Sequence, residues 1–232
     1  MAYDPVTGVV MLQGGRLATG DLTSDTWAWD GSTWRELDRG VGGPPGAEAS
    51  VMAWDKPRGV MVLVTGRGPS STDTWTWSGS RWVRSVRGGL PSGTLLVGLA
   101  LDPLTQTLLG ASCCSVSQGA TSTWSWDGVA WSSLASTDVP TFTVALATDP
   151  TTGHVLLFGD PSLASGREMW SWSGRDWVLL AGARLPAFPS GAVTDSTAGH
   201  LVVVGSVAEP ILGHPQPLRI WSLSGSTWRQ LG

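Results

Sequence analysis

Short apolar runs recur along the chain and are separated by turn residues. The run VMVLV at 60–64 is continuous, as expected for a strand buried on both faces. The segment DTWAW at 25–29 alternates instead, which places both indoles on the same face of a strand. The segment SVMAW at 50–54 is small and apolar, and no window of useful length has helical periodicity. The pattern therefore predicts an all-β protein of short strands.

The strands belong to a repeat that covers the whole chain. The aromatic motif TWAWDGSTW at 26–34 recurs as TWTWSGSRW, TWSWDGVAW, MWSWSGRDW and IWSLSGSTW, and the turn glycines of the five copies are spaced by 48, 49, 46 and 51 residues. A small apolar strand, an aspartate turn and a continuous apolar strand precede each copy. These marker aspartates are spaced by 51, 47, 47 and 46 residues and are best explained as caps of Asx turns: Asp4, Asp55, Asp102, Asp149 and Asp195. Each unit thus has four strands, a to d, with an Asp-Gly or Ser-Gly pair predicting a two-residue hairpin turn between c and d.

A period of 46–51 residues with four strands per unit is typical of a β-propeller. We predict a single five-bladed propeller, closed by packing between the first and last blades, because an open array would expose an apolar blade face. The alternative is a fragment of a six- or seven-bladed propeller. The predicted blades cover residues 1–37, 48–86, 95–135, 142–180 and 189–232.

Tryptophan is the compositional outlier, with 15 copies, and 14 of them occupy three repeated positions on strands c and d. The gap between neighbouring blades widens with distance from the propeller axis, so bulky side chains are needed there. An indole present in every blade is therefore interpreted as structural filling rather than as a ligand site. These structural residues are Trp27, Trp29, Trp34, Trp75, Trp77, Trp82, Trp124, Trp126, Trp131, Trp170, Trp172, Trp177, Trp221 and Trp228.

The repeat resembles the Kelch repeat, in which an apolar strand ending in glycine precedes an aromatic strand, a turn and a tryptophan. The similarity is greatest to the bacterial variety with DTWxWDGxxW in each blade, and it covers essentially the whole chain. The double glycine of that family is present only at Gly14-Gly15. The resemblance implies a propeller, and a role as an interaction module, a lectin-like domain or a scaffold. It excludes the copper radical oxidases of the family, which need two tyrosines, because Tyr3 is the only one.

Charge and composition exclude several classes of partner. The net charge is −4 and no basic stripe is present, which argues against nucleic acid. No run of 18 apolar residues could cross a membrane, and MAYDPVTG at the N-terminus does not have the features of a signal peptide. The sequence does not determine the compartment, although the low charge and the abundant Ser, Thr and Gly favour an extracytoplasmic protein. The protein is expected to be a monomer.

The loops on one side of the propeller are the candidate binding surface. The a–b and c–d turns are short and uniform, whereas the b–c loops and the d–a links are long and irregular. Because rigid scaffolds carry binding residues on variable loops, we predict a protein or peptide partner at the long-loop side. The candidate contact residues are Arg16, Asp21, Arg67, Cys113, Cys114, Arg167, Glu168 and His214.

Two further functions stay open, and catalysis is not predicted. A carbohydrate-binding propeller would stack exposed indoles on sugar rings, and an accessory domain of a larger secreted enzyme is the other alternative. The predicted funnel-lining strands contain no cluster of Glu, His or Lys, so no catalytic residues and no cofactor are predicted.

His154 and His200 share one repeat position, which favours a structural repeat over a metal pair. Cys113 and Cys114 are interpreted as small buried apolar residues.

Overall fold

The computed structural model describes residues 1–47, 49–66, 72–91, 93–112, 122–135, 142–160, 168–195, 197–206 and 217–231. Within these residues all regular secondary structure is β-strand, and it forms five sheets of four antiparallel strands each. In every sheet the strands are ordered as they occur in the sequence. The prediction of an all-β, five-bladed propeller ring is therefore confirmed.

Each blade is a simple meander from an inner strand to an outer strand. The inner strands of successive blades, β1, β5, β9, β13 and β17, lie next to one another in chain order around the axis. The strands, given by blade, are β1 Ala2–Asp4, β2 Val9–Arg16, β3 Leu22–Trp29 and β4 Trp34–Asp38; β5 Ala49–Asp55, β6 Val60–Gly66, β7 Thr72–Trp77 and β8 Trp82–Arg84; β9 Leu96–Asp102, β10 Thr107–Ser112, β11 Thr123–Trp126 and β12 Trp131–Leu134; β13 Phe142–Thr148, β14 Val155–Asp160, β15 Glu168–Trp172 and β16 Trp177–Arg184; β17 Phe188–Asp195, β18 His200–Ser206, β19 Leu218–Ser224 and β20 Thr227–Leu231.

The two faces of a blade carry different residues. Trp29 pairs directly with Trp34 across β3 and β4, so these indoles share a face with Trp27. We call this the back face, because in later blades it packs on the preceding blade. Thr26 and Ala28 alternate to the opposite side, the front face, which packs on the next blade. The strand register therefore assigns every repeated position to one interface.

The hydrophobic core consists of the spaces between blades. Between blades 3 and 4, Trp177 and Trp172 from one side meet Leu109 and Ala100 from the other. Between blades 4 and 5, Phe158 and Met169 belong to one cluster with Leu201 and Val203. Blades 2 to 4 thus bury both sheet faces against their neighbours, which is why the repeat positions there have to be apolar or paired.

The a–b turns are held by the marker aspartates, as the Asx-turn interpretation expects. Asp4 Oδ1 accepts the backbone N–H of Val6 at 2.9 Å, and Asp149 Oδ1 accepts that of Thr151 at 2.9 Å. In blade 2 the buried Asp55 instead pairs with Arg58 at 3.1 Å, and Arg58 also donates to a backbone carbonyl of blade 3 at 3.0 Å. This arginine therefore connects two blades at the short-turn side.

The c–d turns differ from the prediction of a two-residue hairpin. In blade 1 the last paired residues are Trp29 and Trp34, and Asp30 donates its N–H to Thr33 across a four-residue connection. Only blade 5 has the two-residue turn among these hairpins, with Ser224 paired to Thr227. The aspartate explains the longer turn, because Asp30 Oδ1 accepts two backbone N–H groups within it, each at 2.8 Å.

We expect the turn aspartates to make stability fall steeply in acid. Hydrogen bonds from turn backbone amides and a serine hydroxyl lower the pKa of Asp30, and backbone amides lower the pKa of Asp127. Burial opposes ionisation of Asp149, but hydrogen bonds from its turn outweigh burial and lower its pKa. A carboxyl whose pKa is lowered by folding stabilises the fold above its unfolded value, about 3.9, and that contribution disappears below it.

The test is urea unfolding over a pH series with the variant Asp127→Asn, which keeps an acceptor oxygen but cannot ionise. The wild-type free energy of unfolding should decrease from about pH 4 downward. The variant should show a shallower decrease over that range. Parallel curves for both proteins would show that this turn does not contribute to the acid sensitivity.

Candidate functional site

Three of the blade interfaces share the same inter-blade hydrogen bond. The indole N–H of the strand d tryptophan donates to the hydroxyl of a strand c threonine in the preceding blade. The pairs are Trp82 with Thr26 at 2.9 Å, Trp131 with Thr74 at 2.8 Å and Trp177 with Thr123 at 2.8 Å. We call this contact the indole–threonine bond. It satisfies an otherwise buried donor while the ring fills the wedge between the blades.

The interface between blades 4 and 5 cannot form this bond. Met169 occupies the repeat position of the threonine, and it has no hydroxyl. Trp228, the strand d indole of blade 5, packs at the edge of the Met169 cluster and is half-buried. Within the described part of the chain its N–H has no hydrogen-bond acceptor. Among the described residues this indole therefore differs from Trp82, Trp131 and Trp177, whose N–H groups each have a threonine acceptor.

The residue opposite Trp228 also differs from that in the other blades. In blades 1 to 4 the strand d indole contacts a strand c indole, as Trp172 and Trp177 do with ring centroids 5.2 Å apart. In blade 5 the residue opposite Trp228 is Leu223. Trp228 therefore has no aromatic ring partner among the described residues.

An open cavity of about 660 Å³ lies between blades 4 and 5 beside Trp228, and we call it the 4/5 cleft. Its wall combines leucine and methionine side chains with hydroxyl, imidazole and carboxylate groups. The lining residues are Asp149, Thr152, His154, Leu156, Met169, Ser171, Leu179, Leu180, Ala181, Leu223, Gly225, Ser226 and Trp228. The volume lies within the range of small-molecule sites, which is roughly 300–1,000 Å³.

The polar groups of the cleft are held in place by blade 4. His154 Nδ1 lies 3.0 Å from Ser171 Oγ, which leaves the other ring nitrogen for a ligand. Asp149 accepts the hydroxyls of Thr151 at 2.7 Å and Thr152 at 2.8 Å. Because these bonds lower the pKa of Asp149 despite its burial, this carboxylate is ionised at neutral pH. The cleft therefore offers donors and acceptors beside an exposed ring face.

The front face of blade 5 also has no threonine at the repeat position. The inner strands pack on one another from β1 to β17 in chain order, and no hydrophobic cluster of the described residues joins blade 5 to blade 1. Ile220 takes the place of the threonine and is 42% exposed, whereas Thr26, Thr74 and Thr123 are 0% exposed. Trp34, the strand d indole of blade 1, is 44% exposed. The indoles of strand d are thus not equally buried, and Trp34 is the exception that the wedge-filling interpretation did not foresee.

The three predicted loop residues that the structure describes do not line the 4/5 cleft. Arg16 donates to the carbonyl of Gly20 at 2.7 Å, and Asp21 accepts the hydroxyl of Thr19 at 2.8 Å, so both lie in one loop of blade 1. Glu168 begins a strand of blade 4, and its Oε2 is buried without a hydrogen-bond partner in the described structure. The other candidates lie outside the described residues: Arg67, Cys113, Cys114, Arg167 and His214. The protein-partner interpretation of the long-loop side stays a prediction.

The described residues contain no group of three or more His, Cys, Asp or Glu side chains arranged to hold a metal ion. They likewise include no helix long and apolar enough to span a membrane.

Comparison with known structures places the fold among lectin propellers. A mutant of the Aleuria aurantia lectin in complex with α-methyl-L-fucoside is 15% identical, with a TM-score of 0.52 over 97% of this chain and 76% of the lectin. The SapL1 lectin in complex with α-methyl fucoside is 12% identical, with a TM-score of 0.58 over 90% of this chain and 71% of that lectin. No family model and no curated protein matches the sequence. At these identities the likeness shows a shared propeller fold, and the Kelch type of the repeat stays a prediction.

The cleft residues were missed because sequence reasoning treated the repeated indoles as equivalent. A signal was nevertheless present in the residue that precedes the first tryptophan of each motif. That residue is Thr in blades 1 to 3, Met169 in blade 4 and Ile220 in blade 5. The threonine and the tryptophan of the indole–threonine bond lie in different blades, so the sequence alone does not show that they pair.

Proposed function

We propose that this protein is a non-catalytic carbohydrate-binding propeller and that the 4/5 cleft holds the sugar. One observation carries the proposal. Where Met169 replaces the threonine, the Trp228 indole is half-buried on the wall of a cavity of about 660 Å³, and its N–H has no acceptor among the described residues. An indole in this position can offer ring surface and an N–H donor to a ligand.

The chemistry of the cleft matches that of a sugar ring. A pyranose has an apolar face of C–H groups, which packs on an aromatic ring, and a periphery of hydroxyls, which need both donors and acceptors. Trp228 supplies the ring face, and His154 and Ser171 supply groups that can donate or accept. Asp149 is 5% exposed and accepts the hydrogen bonds of Thr151 and Thr152, so it holds the turn beside the cleft. Leu180 and Leu223 add an apolar wall that suits a methyl or methylene substituent of the sugar.

The likeness to lectin propellers supports this proposal over a protein-binding scaffold. Two of the similar structures hold a methyl fucoside, and this chain shares their fold over at least 90% of its length. The first probe should therefore be α-methyl-L-fucoside, within a panel that includes the methyl glycosides of galactose, mannose, glucose and N-acetylglucosamine.

The test is isothermal titration calorimetry of this panel with wild-type protein and the variants Trp228→Ala and His154→Ala. We expect at least one glycoside to bind the wild type. Removal of the Trp228 ring should weaken that binding at the cleft by about tenfold or more, since loss of a stacked aromatic contact costs ~1.5 kcal/mol. His154→Ala should weaken it as well, because a polar partner of the ligand is lost.

A matched control is available in blade 3. Thr107 occupies the repeat position of His154, and it accepts the hydroxyl of Ser125 at 2.9 Å. The variant Thr107→Ala removes a polar group at the same place in the repeat but away from the cleft, so it should leave the affinity unchanged. A wild type that binds none of the glycosides, or a Trp228→Ala protein that binds all of them as the wild type does, would refute the proposal.

A further inference from the structure

The front face of blade 5 is an apolar surface with the composition of an inter-blade interface. In blade 4, four apolar side chains of this face belong to the cluster with blade 5 and are 0–4% exposed: Ala147, Leu156, Phe158 and Met169. The same repeat positions of blade 5 are also apolar, and cross-strand pairing joins Val193 to Val202 and Val204 to Ile220. Val193 is 54% exposed and Ile220 is 42% exposed, and the two other valines are half-buried. Blade 5 thus has the side chains of an interface, and in the described part of the chain no blade covers them.

The back face of blade 1 is the complementary surface. One row across its four strands consists of Tyr3, Val10, Trp29 and Trp34. The corresponding row of blade 2 packs with Met11 of blade 1, and its last three members are 1–7% exposed: Trp54, Met61, Trp77 and Trp82. In blade 1, by contrast, Tyr3 is 51% exposed and Trp34 is 44% exposed. The back face of blade 1 therefore lacks the cover that the same row has in blade 2.

These two surfaces are the two halves of one kind of contact. Within the chain, the front face of each blade from 1 to 4 packs on the back face of the next blade. Each chain therefore has one unused front half and one unused back half, and a second copy of the chain supplies the matching half for each.

The charges on the outer strands agree with a front-on-back contact. Glu36 lies on the back face of blade 1, opposite Trp27, and Arg229 lies on the front face of blade 5, opposite Ser222. Front-on-back contact brings these opposite charges to the same outer edge. Contact between two front faces would instead bring two arginines together, and like charges disfavour an interface.

We infer that the chain binds a second copy of itself head to tail, with the front face of blade 5 in one copy packed on the back face of blade 1 in the other. Trp34 of one copy covers the partner's Ile220, in the way that Trp82 covers Thr26 within the chain. Ile220 has no hydroxyl, so this contact depends on apolar burial and lacks the indole–threonine bond. Because the two faces differ, each end of a pair stays open to a further copy, and larger species form as concentration rises. The inference does not depend on glycan binding, and it replaces the monomer expected from the sequence.

Sedimentation velocity over a concentration series tests this inference. The proteins are the wild type, Ile220→Glu in the front face, Trp34→Glu in the back face, and the control Val86→Glu, whose side chain is 99% exposed outside both faces. We expect the mass of the wild type and of the control to rise above 24.3 kDa with concentration. Each face variant alone should stay a monomer, because an unpaired charge buried in the contact prevents it. Circular dichroism shows that each variant keeps the fold.

A mixture of the two face variants gives the sharpest result. Ile220→Glu keeps an intact back face and Trp34→Glu keeps an intact front face, so together they should form a complex of two chains and nothing larger. A mixture that stays monomeric, or association that persists in either variant alone, overturns the head-to-tail contact. A wild type that stays at 24.3 kDa at every concentration overturns it as well, and leaves the glycan proposal untouched.

Discussion

Replacing Trp177 by alanine should lower the free energy of unfolding by about 3–5 kcal/mol, the usual cost of truncating a fully buried tryptophan. The side chain is 2% exposed and fills the space between blades 3 and 4 against Leu109 and Leu157. The change leaves a large cavity and also removes the indole–threonine bond to Thr123 at 2.8 Å. Urea unfolding followed by circular dichroism measures the loss.

The matched control is Trp34→Ala, at the same repeat position in blade 1. This indole is 44% exposed, so its truncation removes little buried surface and leaves no closed cavity. We expect a cost of about 1 kcal/mol, within the range of ordinary surface and partly buried substitutions. If the two variants lost equal stability, the strand d indoles would not act as inter-blade filling according to their burial.

Replacing Met169 by threonine should close the 4/5 cleft and abolish most of its glycan binding. The new hydroxyl restores the acceptor present in blades 1 to 3, so the Trp228 indole can turn inward and donate to it. A ring held against the blade no longer offers its face to a sugar, and we expect the affinity of the cleft to fall by about tenfold or more. The free energy of unfolding should fall by roughly 1–3 kcal/mol, because Met169 is 2% exposed and a new hydrogen bond of about 1 kcal/mol offsets only part of the lost apolar burial.

The readouts are calorimetry and acrylamide quenching of tryptophan fluorescence, and the control is Met169→Leu. Leucine keeps an apolar side chain without a hydroxyl, so the cleft should stay open and bind as before. Reduced quenching should accompany the lost affinity only in the threonine variant. Unchanged sugar affinity in Met169→Thr would mean that the missing acceptor is not what opens the cleft.

The repeat alone was sufficient to predict the blades. Alternation in DTWAW fixed which residues share a face, and the strand register agrees, with Trp29 opposite Trp34. The four-residue c–d turn was not foreseen, because the aspartate that opens it can cap either a short or a longer turn. The local pattern of apolar residues determines where a strand forms and which residues share one of its faces. The length of a turn depends instead on the hydrogen bonds made by the side chain that opens it.

The 4/5 cleft could not be read from the same pattern. Trp228 and Trp177 are the same residue at the same repeat position, yet one is half-buried and the other is 2% exposed. The two indoles also differ in a residue of the preceding blade, 54 or 59 positions earlier in the chain, which is Thr123 for Trp177 and Met169 for Trp228. Contacts of this kind are set by blade packing, so a search for site residues on loops missed them.

Central to this account is that a strand d indole with a threonine partner holds two blades together, and that the strand d indole of Trp228, which has no such partner, can bind a ligand. The most direct measurement is hydrogen exchange of the indole N–H groups by nuclear magnetic resonance, assigned with single Trp→Phe variants. The account predicts slow exchange for Trp82 and Trp177, fast exchange for Trp228, and a shift of the Trp228 signal when glycan is added. Slow exchange at Trp228 without ligand, or glycan-induced shifts at Trp82 and Trp177 in its place, would contradict it.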